Sequence, residues 1–130
     1  MHEFSTMQQI VHTIIEEARR YKAKEVSKVI LQIGELTFLG EEQLKFAFDI
    51  LKEDTIMENA ELVIEKIKAE VKCECGYQGG IEYGLKEEFH LMFPILKCPR
   101  CGKEVEIVRG RECLIKSVEM EIEENVAVEG

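Results

Sequence analysis

No stretch of apolar residues in this sequence approaches the ~20 that a helix needs to cross a bilayer. The first residues, Met1-His2-Glu3-Phe4-Ser5, carry no basic segment followed by an apolar core. Neither a membrane span nor a secretory signal is expected, and the cytoplasm is the expected compartment. Tryptophan is absent, prolines number two and histidines three. Positive charge is also short: 17 Lys and Arg stand against 26 Asp and Glu, a formal charge of −9. Nucleic-acid binding rests on Lys and Arg neutralising phosphates, so it is not expected here. There is no internal repeat, no low-complexity segment, no Gly-rich phosphate loop and no nucleophile–base constellation, so nothing marks an enzyme.

The chain has 130 residues, 45% of them hydrophobic. A globule of that size buries about two-thirds of its unfolded surface, enough for a core. Ser5 followed by Gln8 reads as a capping box, and Ile10, Val11, Ile14, Ile15, Ala18 and Tyr21 recur at helical spacing to about Lys22. Val29, Leu31 and Ile33 alternate with Ile30 and Gln32 up to Gly34, the pattern of a strand. Leu44, Ala47, Phe48 and Leu51 predict a second helix opening near Glu41. Leu62 to Ile67 predicts another strand. Val118, Met120 and Ile122 alternate with Ser117, Glu119, Glu121 and Glu123, the pattern of a half-buried strand. The tail from Asn125 is expected to fray.

Between the last two strands lies a segment of different character. Residues 71–108 hold four paired cysteines, both prolines and little helical periodicity. So short a segment needs a staple. The expectation is an α+β fold in two domains: a discontinuous one from 1–70 and 109–130, and an insert over 71–108.

The staple is legible as Cys73-Glu74-Cys75-Gly76 and Cys98-Pro99-Arg100-Cys101-Gly102. In a reducing compartment, paired cysteines read as a metal site rather than disulfides. Four thiolates with no open position suit a structural zinc. The same donors suit an iron centre of rubredoxin type, so that reading stays open beside a zinc-ribbon interaction module. Cys113 reads as an apolar filler in a strand, and is the alternative should Cys75 not supply the fourth sulfur.

The N-terminus offers a second chelate. The amine of Met1, the deprotonated amide nitrogen of His2 and His2 Nδ1 close a five- and a six-membered ring around one ion. Such planar nitrogen donors suit nickel(II) or copper(II). Glu3 adds a backbone amide or a carboxylate, and His90, from the insert, is a further candidate ligand. The plainer reading of His2 is a solvated terminal residue. His12, on the polar flank of the first helix, is expected in solvent.

Met1-His2-Glu3, the Ile33-Gly34-Glu35 turn, the two cysteine pairs and Leu114-Ile115-Lys116-Ser117-Val118-Glu119 occur together in this order. The combination resembles the HypA family of nickel metallochaperones for hydrogenase maturation, over essentially the whole chain. The long loop from Gly76 to Lys97 is similar to that of archaeal members. The resemblance implies two helices on a three-stranded sheet, with a zinc ribbon inserted before the last strand. It implies nickel as cargo on His2 and neighbouring backbone nitrogens, approached by His90. One zinc would be held by Cys73, Cys75, Cys98 and Cys101. The implied partners are a maturation GTPase of the HypB kind and the precursor of a nickel–iron hydrogenase large subunit; some relatives serve urease. The chain is expected as a monomer or a homodimer, with no covalent chemistry of its own.

Overall fold

The structure, a computed structural model, describes residues 2–86 and 91–122. Met1, His90 and the tail from Asn125 therefore lie outside the described residues. The chain divides into two compact units, Met1–Gln32 with Leu39–Glu65 and Leu114–Gly130, and Ile33–Phe38 with Lys66–Cys113.

In the first unit, helix α1 (His2–Arg20) presents Met7, Ile10, Val11, Ile14 and Ala18 to the interior. The helix opens at His2, three residues before the expected start. Ser5 lies inside the first turn, and its hydroxyl donates to the His2 carbonyl at 3.2 Å. Ser5 thus does not act as the cap that Ser5-Gln8 suggested. Arg19 and Arg20 complement the helix dipole at the other end. The helix stops as Lys22 turns left-handed (φ 53°). Tyr21, expected on the apolar stripe, lies past the helix end and is exposed.

Strand β1 (Ala23–Gly34) follows, with Val26, Val29 and Leu31 buried. Helix α2 (Glu41–Leu51) contributes Leu44, Ala47 and Phe48. Burying a side chain such as Phe48 or Leu44 stabilises by about 1.5–3 kcal/mol. Strands β2 (Glu61–Ile67) and β8 (Cys113–Ile122) flank β1 in the order β2-β1-β8. A polar row crosses all three strands: Glu65 accepts from Gln32 at 3.2 Å and from Lys116 at 3.1 Å. Val118, Met120 and Ile122 are half-buried while Glu119 and Glu121 are exposed, as the alternation predicted. Two helices with a three-stranded sheet are the expected α+β layout.

The second unit has strands β3 (Glu70–Lys72), β4 (Gln78–Gly79) and β7 (Glu106–Arg109) in the order β4-β3-β7. A separate hairpin pairs β5 (Glu82–Lys86) with β6 (Leu91–Ile95). The expected insert, 71–108, is the centre of this unit. The unit also takes in 66–70, 109–113 and 33–38, because backbone bonds knit these together. Gly34 N–H donates to the Glu112 carbonyl and Leu36 N–H to the Gly110 carbonyl, both at 2.7 Å. In the 3-10 turn Glu35–Thr37, Glu35 accepts from the Ala69 N–H at 2.7 Å and from the Tyr83 hydroxyl. A Cβ built on Gly34 would fall against the Gly110 carbonyl, and Gly110 itself has φ +122°. Only glycine serves at both places.

Gly34→Ala should therefore cost about 1–3 kcal/mol, the range of an overpacked contact, because the obstructing atoms are backbone. Urea unfolding of the variant beside the wild type checks this.

The Glu35–Tyr83 contact also sets a pH dependence. The Tyr83 hydroxyl first, and the Ala69 N–H second, hold the Glu35 carboxyl below its usual range against the effect of burial. Its stabilisation is present above the ordinary carboxylate pKa and drains away as pH falls through the lowered value. Burial first, and the Glu35 charge second, push the Tyr83 phenol up to about 12. Its contribution is intact below the ordinary tyrosine value and is lost as pH rises through about 12. Tyr83→Phe should flatten the alkaline limb and weaken the acid one, measured as unfolding midpoint against pH.

Candidate metal centres

Each cysteine pair sits on a tight turn shaped by its glycine. In the first, Gly76 (φ +101°) donates to the Cys73 carbonyl at 3.0 Å, and Cys73 N–H reaches the Tyr77 carbonyl at 2.9 Å. In the second, Gly102 (φ +78°) donates to the Cys98 carbonyl at 2.9 Å, and Cys98 N–H reaches the Lys103 carbonyl at 2.8 Å. A side chain at either glycine would strain the left-handed backbone. Cys-x-Cys, one residue shorter than the usual knuckle, closes a turn one residue tighter: the Gly76 N–H returns three residues to Cys73, the Gly102 N–H four residues to Cys98.

The four sulfurs converge. Cys73 Sγ lies 3.5 Å from Cys101 Sγ, Cys75 Sγ lies 3.6 Å from Cys98 Sγ, and all four fall within 4.8 Å of one another. A tetrahedral ion with sulfur bonds of ~2.3 Å requires sulfur–sulfur edges of ~3.8 Å, so the quartet fits with small adjustments. The Arg100 N–H points at Cys98 Sγ from 3.3 Å. Burial opposes charge on Cys98, but amide donors from Cys101 and Arg100 and neighbouring thiols outweigh it and bring the thiol down to about 7. Cys73 goes the other way: the Cys75 amide favours its thiolate, while burial and the other three thiols push it up to about 11. The Cys98 thiol therefore yields its proton more readily than the Cys73 thiol. Cys113 stands apart. It was expected as a buried filler; it is instead exposed in β8 and outside the quartet. Cys113 is the first residue of β8 and shares the strand face of half-buried Ile115, yet at the strand's start it is exposed.

His2 is the first helical residue and is exposed. Glu3 has a structural task that its sequence position did not reveal. Its carboxylate accepts from the N–H of Gly40 at 3.0 Å, and Gly40 is the N-cap of α2. The chain's amino group first, and Gly40 next, bring this carboxyl down to about 2, so it stays ionised. His12 is exposed, as expected. Met1 and His90 lie outside the described residues. No helix among the described residues is long and apolar enough to cross a membrane.

The family profile described as "Hydrogenase/urease nickel incorporation, metallochaperone, hypA" matches residues 1–120. The chain belongs to the HypA family. The hydrogenase maturation factor HypA of Methanothermobacter thermautotrophicus is 42% identical over 122 residues, covering 93% of this chain and 98% of that one. That of Caldanaerobacter subterraneus subsp. tengcongensis is 42% identical over 124 residues, covering 93% and 100%. A solution structure of a HypA protein superposes with TM-score 0.64 at 26% identity, covering 95% of this chain and 98% of that one. The Ni metallochaperone HypA from Helicobacter pylori has the same fold, with TM-score 0.62 at 24% identity over 93% and 98%. A member of this family is a nickel metallochaperone of hydrogenase maturation, and the four-cysteine metal site is part of it.

In this HypA-family chain, Cys73→Ser, Cys75→Ser, Cys98→Ser and Cys101→Ser should each lose the bound metal and melt the second unit, while Cys113→Ser keeps it. Metal content after gel filtration and amide exchange across Lys66–Cys113 read the outcome. Metal retained in Cys75→Ser and lost in Cys113→Ser would reverse the assignment.

Proposed function

We propose that the chain carries nickel(II) on its N-terminal residues Met1, His2 and Glu3 and passes it to the precursor of a nickel–iron hydrogenase large subunit. It works with a maturation GTPase of the HypB kind, in the cytoplasm, and performs no covalent chemistry. The observation that carries this reading is the place of His2. The first N–H groups of a helix have no carbonyl one turn back to receive them. His2, as first residue of α1, can therefore lose its amide proton to nickel without breaking a helical hydrogen bond. Its ring is exposed and available to the same ion.

The positive end of a helix dipole opposes a bare cation, and a deprotonated amide removes that opposition. Glu3 contributes through its backbone nitrogen while its carboxylate keeps the first turn of α1 on the N-cap of α2. The start of the helix is held still, which lowers the ordering cost of chelation. His90 is a further ligand in this proposal. A single zinc on Cys73, Cys75, Cys98 and Cys101 supplies folding energy to the second unit and takes no part in nickel transfer chemistry.

His2→Ala should lose at least about a hundredfold in nickel affinity, since it removes a ring nitrogen, with fold and zinc unchanged. Titration calorimetry beside circular dichroism, on protein with an untagged N-terminus, tests it. One residue added before Met1 should also weaken binding by moving the amine out of the chelate ring. Wild-type affinity in His2→Ala would remove the N-terminal site altogether.

A further inference from the structure

The hairpin β5–β6 is a two-stranded sheet to which no third strand is added among the described residues. Isolated hairpins are marginal in water, and a sheet gains stability by adding strands or covering a face. This one is apolar and exposed: Leu85 is 58% and Met92 62% accessible, and Phe93 and Ile95 are exposed as well.

Its two edges are unlike. Pro94 pairs with Tyr83 and has no N–H, so that pair cannot be one that exchanges hydrogen bonds. By the alternation of an antiparallel ladder, Gly84 faces Phe93 through hydrogen bonds, whereas the main-chain groups of Tyr83 and Leu85 point away from β6. The outer edge of β6 lacks a donor at Pro94 and is closed to pairing. The outer edge of β5 presents two N–H and two C=O groups and is open.

The side chains of β5, Glu82-Tyr83-Gly84-Leu85-Lys86, are complementary to themselves when read antiparallel about Gly84. We propose that the β5 edge pairs antiparallel with the β5 edge of a second copy of this chain, about a twofold axis at Gly84, giving a four-stranded sheet β6-β5-β5-β6. Glu82 then faces Lys86 of the partner subunit, twice by symmetry, and both residues are exposed in the single chain. Tyr83 faces Leu85 of the partner subunit, and these are the residues whose main-chain groups point outward, so the pair closes four hydrogen bonds. On that face Pro94, Tyr83, Leu85 and Met92 of the two copies line up in two apolar rows. On the other face the Phe93 ring already covers Gly84 so closely that a Cβ there would fall inside it. At the axis the two glycines meet beneath the two rings, an arrangement in which an aromatic side chain supplies the packing that glycine lacks. The contact is isologous, so it closes at two copies. One five-residue strand per copy is small for an interface, so the dimer is weak and concentration-dependent.

The charges provide the test, on the full-length zinc-loaded chain by sedimentation velocity over a concentration series at low salt. The wild type should show dimer growing with concentration. Lys86→Glu places two pairs of like negative charges across the axis, and Glu82→Lys two pairs of like positive ones. Each variant alone should associate about tenfold more weakly. An equimolar mixture of the two variants restores both opposite-charge pairs and should recover the wild-type dimer as a heterodimer. Both substitutions are at exposed positions, and unchanged circular dichroism and zinc content confirm folding. A wild type that stays monomeric up to millimolar concentration overturns the proposal. So do single variants that associate like the wild type, or a mixture that fails to recover.

Discussion

The second unit has Ile33, Ala69, Val71 and Cys98 as its buried apolar side chains among the described residues. Apolar burial on that scale cannot offset the conformational entropy of ordering some fifty residues, at roughly 1–2 kcal/mol each for backbone alone. Everything else in this unit depends on four thiolates being drawn to one point. The two turns that deliver them use the same device, a left-handed glycine whose N–H returns to the carbonyl of the first cysteine. Sulfur convergence and turn geometry support each other: the turn aims the sulfurs, and an ion that holds them keeps the turn from opening.

A second constraint acts where the chain passes into and out of this unit. Gly34 and Gly110 approach too closely for any side chain, and Glu35 gathers the Ala69 amide and the Tyr83 hydroxyl onto one carboxylate. That carboxylate reaches the base of the β5–β6 hairpin, whose strands precede and follow His90 in the chain. The Ile33-Gly34-Glu35 turn therefore orders the metal-bearing unit, a role its three residues do not reveal in isolation.

At the other end of the chain, α1 begins at His2 and its first turn is tied through Glu3 to the N-cap of α2. A flexible terminus would have to be ordered by each incoming ion. A helix start held by a side-chain bond has already met part of that cost. In the proposed nickel site, the preference of nickel(II) for planar nitrogen donors agrees with a helix whose first amide, at His2, has no carbonyl one turn back.

Short-range spacing determined much of this protein. The helices, the three longer strands and the cysteine pairs were legible because periodicity and chelate spacing are local properties, written within a few residues of one another. The residues Met1-His2-Glu3 with the four-cysteine insert carried the family. The beginning of α1 was misread because a capping box at Ser5 and a helix starting at His2 have similar sequences; tertiary packing of Met7 and the Glu3–Gly40 bond decide between them. Cys113 was expected as an apolar filler, but it opens β8 and is exposed, which alternation within a strand does not determine. The extension of the second unit to Ile33–Phe38, the meeting of Glu35 with Tyr83, and the convergence of Cys75 rather than Cys113 involve residues 23 to 78 positions apart. Contacts at such separations depend on how the strands are ordered in space, and only the folded chain determines that.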